Sequence, residues 1–397
     1  MNFDFDAVIV GAGPVGSTIA YYLSGNGLDV AIVDKKKQIG YPLQCAGILS
    51  RHIFEVNELP DEVIVNAVRG AFLHTNNHIL KVRKDEPVAY VIDRVAYDNF
   101  LFDRAVECGA EFINQKVIGV KSKDGITCLS SGQKIKSKVI IGCDGYNSLL
   151  SKSMGNIQRN FPASQMLVEI DDNDMAMFRN SKEDTCNYVD TCLSDDILPG
   201  FLWVIPLKGN QYRVGLFSNR NHKIQNDVLR RFLDSNFEYE IIEKYKGFIP
   251  VFDDKNKLVE NRLILIGDAA AQVKPTSGGE LLIAFDACRM ACRHVADAIA
   301  NDDMAILKGY ESEFRNKYLK EFNYQFKVQK TLDLLCDDDL DHLFLKLREN
   351  DCEKLICEYG DMDTQSKLVK EFIKRGLIFK IVPTFLFKKV TKIFGFR

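Results

Sequence analysis

Three glycines and one acid carry the first chemical signal in this chain. Gly11, Gly13 and Gly16 follow the short apolar run Ala7–Val10 and open onto a stretch with helical periodicity that reaches Leu23. In that arrangement the first glycine permits a tight turn, the second lets backbone approach a pyrophosphate, and the third lets helix and strand pack closely. The helix N-terminus offers unpaired N–H groups and a partial positive charge to the phosphates. Asp34 closes the next apolar run, where its carboxylate can accept a ribose hydroxyl. The spacing predicts a βαβ unit that holds a dinucleotide.

NAD and FAD both use that fingerprint, and two later strand ends choose between them. Leu263–Ile266 runs into Gly267-Asp268, and a Pro275-to-Gly279 loop follows. A carboxylate at 268 can hold a ribityl hydroxyl. The glycines let the next helix aim its N-terminus at an isoalloxazine, where negative charge develops on reduction. Lys138–Gly142 leads into Asp144-Gly145, a third element that places Asp–Gly beside cofactor and substrate. The expected cofactor is FAD. The plainer alternative is three strand ends that merely turn on Asp and Gly.

These residues need elements to position them. At 397 residues the chain exceeds one usual domain. Strands are expected at Ala7–Val10, Asp29–Asp34, Val68–Leu73, Ile79–Val82, Lys138–Gly142 and Leu263–Ile266, with a helix over Asp93–Cys108. Between about 160 and 250 the texture becomes antiparallel, with strands at Met166–Ile170, Phe201–Pro206 and Tyr212–Phe217 and a helix around Asp227–Asp234. After 280 the pattern is helical almost throughout. The expected fold is therefore α/β. A Rossmann-like FAD-binding domain is built from 1–160 and 250–300, an antiparallel β-sheet substrate domain is inserted at 161–249, and a helical C-terminal region occupies 301–397.

Composition sets bounds. Hydrophobic residues at 46% and charged residues at 27% describe an ordinary globular chain, and a net charge of −3 gives no case for nucleic acid. No apolar run reaches the ~18–20 residues of a membrane span. Eleven cysteines without a secretory signal read as small buried hydrophobes in a reducing, cytoplasmic setting. Cys288 and Cys292, Cys186 and Cys192, and Cys352 and Cys357 lack C-x-x-C spacing and accompanying histidines, so no metal site is expected.

Beyond the flavin motifs, two short segments narrow the reading: Tyr41-Pro42-Leu43-Gln44-Cys45-Ala46-Gly47 and Pro199-Gly200-Phe201-Leu202-Trp203-Val204-Ile205-Pro206. The first is similar to the Pro-x-x-Cys-Ala segment over the flavin in geranylgeranyl reductases. The second resembles their aromatic-x-Trp-x-x-Pro segment, which lines the isoprenoid cavity. The chain thus resembles the geranylgeranyl reductase family, archaeal digeranylgeranylglycerophospholipid reductases included, within the para-hydroxybenzoate hydroxylase fold group. The resemblance implies FAD contacts at Val15, Asp34, Cys45, Ala46, Gly47, Arg94, Val117, Asp268, Gly278, Gly279 and Leu281, beside the glycines already named. It implies a substrate cavity at Phe201, Trp203 and Pro206.

Two departures stand out. Gly47-Ile48 follows Cys-Ala where the family usually has Glu-Gly, and Gly278-Gly279-Glu280 replaces three glycines. A carboxylate there lies close to the flavin's electron-rich edge unless it turns away.

Several residues admit two readings. Cys45 is either a proton donor to an alkene carbon while flavin N5 delivers hydride, or a small residue packed on the ring whose backbone binds FAD. Trp203, the only tryptophan, is a cavity wall or a core aromatic. Arg94 resembles the arginine on the flavin's phosphate side; the alternative is a surface arginine. Lys374, Arg375, Lys380, Lys388, Lys389, Lys392 and Arg397 alternate with Phe372, Leu377, Ile378, Phe379, Ile381, Val382, Phe385, Leu386, Phe387, Ile393, Phe394 and Phe396. That tail suits a lipid interface, or else docks on the protein's own core.

The expected activity is FAD-dependent reduction of carbon–carbon double bonds in geranylgeranyl chains of membrane ether lipids. The expected partners are the isoprenoid lipid, peripheral membrane contact from the cytoplasmic side, and a reduced ferredoxin-like electron donor, since no second nucleotide fingerprint is seen. The rivals are a flavin monooxygenase or halogenase of the same fold, and a flavoprotein that holds an isoprenoid without turning it over. A second tryptophan at Phe201 would favour the halogenase.

Overall fold

The structure is a computed structural model that describes residues 2–181, 185–377, 380 and 393. Its centre is an eight-stranded sheet. Phe5–Val10 pairs in parallel with Lys134–Gly142 on one side and Val30–Asp34 on the other. Leu263–Leu265 and Glu111–Asn114 extend the parallel run. These strands are nearly continuous Val, Ile, Leu and Ala because both faces are covered, as parallel sheets require. Pro14–Gly25, Arg94–Glu107 and Leu281–Ala300 are the helices involved. Arg94–Glu107 starts where it does because Asp93 caps it, accepting N–H bonds from Val95 and Ala96.

The second sheet has seven strands in the order Tyr239–Pro250, Asn160–Ile170, Gln211–Phe217, Leu202–Pro206, Tyr188–Cys192, Gly70–His74, Ile79–Arg83. Its core side holds Met166, Val168, Leu202, Val204, Tyr212 and Val214 beneath the helix His222–Asn236. This corrects the expected boundaries. The hairpin at 70–83 comes from the segment assigned to the FAD-binding domain, and Tyr188–Cys192 joins it in parallel, so the sheet is neither confined to 161–249 nor wholly antiparallel. Pairing across more than a hundred residues leaves no local trace, so periodicity locates the strands but not their sheet. A three-stranded sheet of Ile48–Ser50, Ala89–Ile92 and Ile64–Val68 connects the two.

The C-terminal region is helical, with Lys308–Leu332, Asp337–Glu349, Cys352–Tyr359 and Ser366–Lys374. Leu377 is buried with Leu80, Phe344, Leu347, Cys352 and Leu355, and Phe372 packs on that cluster. These two residues, expected at a lipid interface, dock on the protein's own core. Most of the basic tail, from 378 onward apart from residues 380 and 393, lies outside the described residues. Among the described residues no helix is long and apolar enough to cross a membrane.

Candidate functional site: a flavin cradle joined to an apolar cavity

Each glycine of the first turn answers a separate steric demand. Gly11 sits at φ +111°, and a Cβ there would collide with the Cys143 carbonyl. A Cβ on Gly16 would collide with the Gly11 carbonyl, which is why helix and strand can touch. At Gly13 a Cβ would meet nothing within 4 Å. The space above it is where a pyrophosphate belongs, and the helix behind it has no side-chain cap on its first-turn N–H groups. Asp34 is oriented by two backbone donors, Ala12 N–H to Oδ2 at 2.8 Å and Lys36 N–H to Oδ1 at 2.9 Å. Each oxygen keeps a lone pair for a hydroxyl.

These residues open into a cavity of about 1630 Å³. A single ligand usually occupies roughly 300–1,000 Å³, so there is room for a dinucleotide and a second molecule. Of the residues expected to bind cofactor, Gly11, Gly13, Val15, Asp34, Cys45, Ala46, Arg94, Val117, Asp268, Gly278, Gly279 and Leu281 line it together, as do Phe201 and Trp203. Gly16, Gly47 and Pro206 do not. Gly16 is consumed in helix–strand packing, and the Gly47 N–H turns to Cys45 Sγ at 3.4 Å. Pro206 faces the other way because side chains alternate along a strand. Phe201, Trp203 and Ile205 share the cavity face, while Leu202 and Val204 enter the sheet core.

Two arginines act on the Cys45 turn. Arg94 is buried and paired with Asp98, Nη2 to Oδ1 at 2.9 Å. Burial works against its charge, but Asp98 and the Cys45 side chain outweigh that and hold Arg94 above its ordinary value. A surface arginine is therefore the wrong picture, and its guanidinium is committed to Asp98 and Cys45. The second arginine, Arg213, was not anticipated. Its Nη1 donates to the Ala46 carbonyl at 2.9 Å and to the Ile92 carbonyl at 3.1 Å. The only sequence signal was a lone charge within the apolar strand Tyr212–Phe217.

Asp268 and Glu280 meet at the flavin loop. The Asp268 N–H donates to Glu280 Oε1 at 2.5 Å. Burial raises both carboxyls above their ordinary values, and Glu280 further raises Asp268. Glu280 is favoured as the charged member because it accepts from both the Asp268 backbone and side chain. Asp144 accepts the N–H groups of Leu149 and Leu150 on one oxygen, while its other, buried Oδ1 has no partner among the described residues. Trp203 Nε1 donates to Gln165 at 3.0 Å, fixing the indole plane in the wall. Val328, Leu332, Ile356, Leu368 and Val369 of the C-terminal helices also line the cavity. Nothing local in those helices marked them as lining.

The comparisons with known proteins agree with this architecture. Residues 4–317 match the model of the FAD binding domain family. Digeranylgeranylglycerophospholipid reductase 1 of Methanococcoides burtonii is 30% identical over 89% of this chain and 90% of its own length. The chain belongs to the geranylgeranyl reductase family of FAD-binding proteins. An uncharacterised family relative of Methanocaldococcus jannaschii is 30% identical over 96% of this chain and 99% of its own. Among solved structures, a geranylgeranyl bacteriochlorophyll reductase-like protein from Thermoplasma acidophilum superposes with a TM-score of 0.83 at 22% identity, covering 98% of this chain and 99% of that one. The family cofactor is FAD. The open space over Gly13, the doubly oriented Asp34 carboxylate and the orphaned Asp144 oxygen fit it.

Proposed function

We propose that this chain is an FAD-dependent oxidoreductase that reduces carbon–carbon double bonds in the geranylgeranyl chains of a membrane ether lipid. One observation carries the reading: a single cavity joins the nucleotide cradle at Gly13 and Asp268 to Cys45 and to the apolar wall of Phe201, Trp203 and Ile205. The name of the Methanococcoides burtonii relative supports the substrate class.

Bound FAD, once reduced, supplies hydride. The chain's own residues orient the two reactants and deliver the proton. Gly11, Gly13 and the N-terminus of Pro14–Gly25 hold the pyrophosphate, and Asp34 and Asp268 hold hydroxyls. An isolated alkene has no carbonyl to collect developing charge, so a proton must reach one carbon as hydride reaches its neighbour. Cys45 Sγ–H is the donor in this reading, placed in the cavity by Gly47 N–H and Arg94. Phe201, Trp203, Leu332, Leu368 and Val369 exclude water from the chain and hold it extended.

Two partners complete the proposal. A reduced ferredoxin-like protein is the electron donor, a reading supported by the single dinucleotide fingerprint in the sequence. The basic tail contacts the cytoplasmic face of the membrane from which the lipid is drawn.

The test mixes photoreduced protein, without oxygen, with a geranylgeranyl glycerolipid. The expected outcome is return of the oxidised flavin absorbance, with two hydrogens of mass gained per double bond. A stable reduced complex with unchanged lipid mass would make the protein a carrier. Oxygen incorporated at the expense of NAD(P)H would make it a monooxygenase.

A further inference from the structure

Arg213 is a buried charge without a carboxylate. It is 8% exposed, and among the described residues its side chain bonds only to two backbone carbonyls, those of Ala46 and Ile92. Arg94, close by, is neutralised by Asp98. Removing an unpaired charge from water is costly, so an anion near Arg213 is worth more here than in solvent. Burial depresses the Arg213 guanidinium, and the Cys45 side chain acts against that.

The backbone is shaped around this contact. Gly47 stands at φ +70°, and a Cβ there would collide with Arg213 Nη1. Arg213 thus sits against the turn that carries Cys45 and ties it to Ile92, two residues ahead of Arg94. Ionisable groups from three elements neighbour Cys45: Arg94 from its helix, Arg213 from the strand Gln211–Phe217, and Asp268, the protonated member of its pair, from the flavin loop. Tyr245, on Tyr239–Pro250, and Asp93 are the other ionisable neighbours of Arg213.

We propose that Arg213 is the positioning residue for Cys45, fixing its turn through the Ala46 carbonyl and supplying the positive charge that balances the thiolate left by proton donation. The inference rests on the reductase reading above. In the step concerned, the Cys45 S–H bond breaks and its proton forms a C–H bond at one alkene carbon. The hydride for the other carbon would come from reduced FAD held by Gly13, Asp34 and Asp268, which would be left oxidised. The electron pair of the S–H bond remains on sulfur, hydrogen-bonded by Arg94 and with Arg213 held at the adjoining Ala46 carbonyl, until solvent returns a proton.

The test needs no lipid substrate. FAD-loaded wild type, Arg213→Met and Arg213→Lys are treated with iodoacetamide, and alkylation of Cys45 is followed by peptide mass spectrometry. The exposed Cys336 serves as internal control. Alkylation goes through the anionic sulfur, which a neighbouring guanidinium would stabilise, so Arg213→Met should alkylate Cys45 about fivefold to tenfold more slowly, with Cys336 unchanged. Arg213→Lys should restore most of the rate. A purely structural role predicts the opposite sign, since a loosened turn exposes the thiol and speeds the reaction. Equal or faster alkylation in Arg213→Met would overturn the proposal. Failure of wild type to reduce a geranylgeranyl lipid would instead sink the reductase reading, whatever the alkylation shows.

Discussion

Glu280 reaches back across the flavin loop to accept the backbone N–H of Asp268, at 2.5 Å. The Glu280 carboxylate is therefore turned toward Asp268, and the two acids compete for one proton. Neither is free to ionise as it would in an open chain.

That pairing makes stability depend on pH. Both carboxyls are raised in the folded state. Above the ordinary carboxylate range, about 4, the unfolded chain has released protons that the folded chain still holds, so the pair costs stability as pH rises. Glu280→Gln should therefore melt higher than wild type by about 2–4 °C at pH 8, with the difference shrinking toward pH 4. Thermal melts at both pH values check this, and a difference that grows toward acid would refute it.

Gly13 and Gly16 lie three residues apart but should respond differently to substitution. Gly13 has φ −75° and open space, so Gly13→Val should leave the melting curve of the protein unchanged while weakening FAD binding at least about tenfold. Gly16→Ala drives a methyl into the Gly11 carbonyl and should cost about 3 kcal/mol in denaturant unfolding. Flavin fluorescence titration and urea melts separate the two effects.

Trp203 and Pro206 end on opposite faces of one strand. Trp203→Leu should raise KM for a geranylgeranyl lipid about tenfold with FAD content intact. Pro206→Ala, outside the cavity, should leave KM within about twofold. Steady-state kinetics on both variants decides, and equal effects would place the substrate elsewhere.

Truncation should begin at 378, since Leu377 belongs to the core. The removed segment carries Lys380, Lys388, Lys389, Lys392 and Arg397. At about 1 kcal/mol per cation near an anionic surface, their loss should abolish cosedimentation with phosphatidylserine vesicles. Binding that persists would assign the membrane contact to another surface.

Much of the flavin cradle was legible because its demands are local. A strand, a Gly-x-Gly-x-x-Gly turn, a helix and an acid lie within thirty-five residues, and each glycine solves a contact with near neighbours or a ligand. Asp268 was legible for the same reason, as an acid at the end of an apolar strand. The second sheet was only half legible. Alternation located strands in 160–250, but it could not show that 70–83 would join them. Arg213 was hidden because its partners, Ala46 and Ile92, lie more than a hundred residues away and are backbone atoms without a side-chain signature.

The sequence alone determined which cofactor the chain holds, because a dinucleotide is gripped by backbone geometry that only particular residues at particular spacings permit. Only the tertiary structure decided what surrounds Cys45, which way Glu280 points, and that the C-terminal helices line the cavity. Those outcomes follow from long-range packing and burial, where the energy of a charge depends on neighbours that sequence order does not reveal.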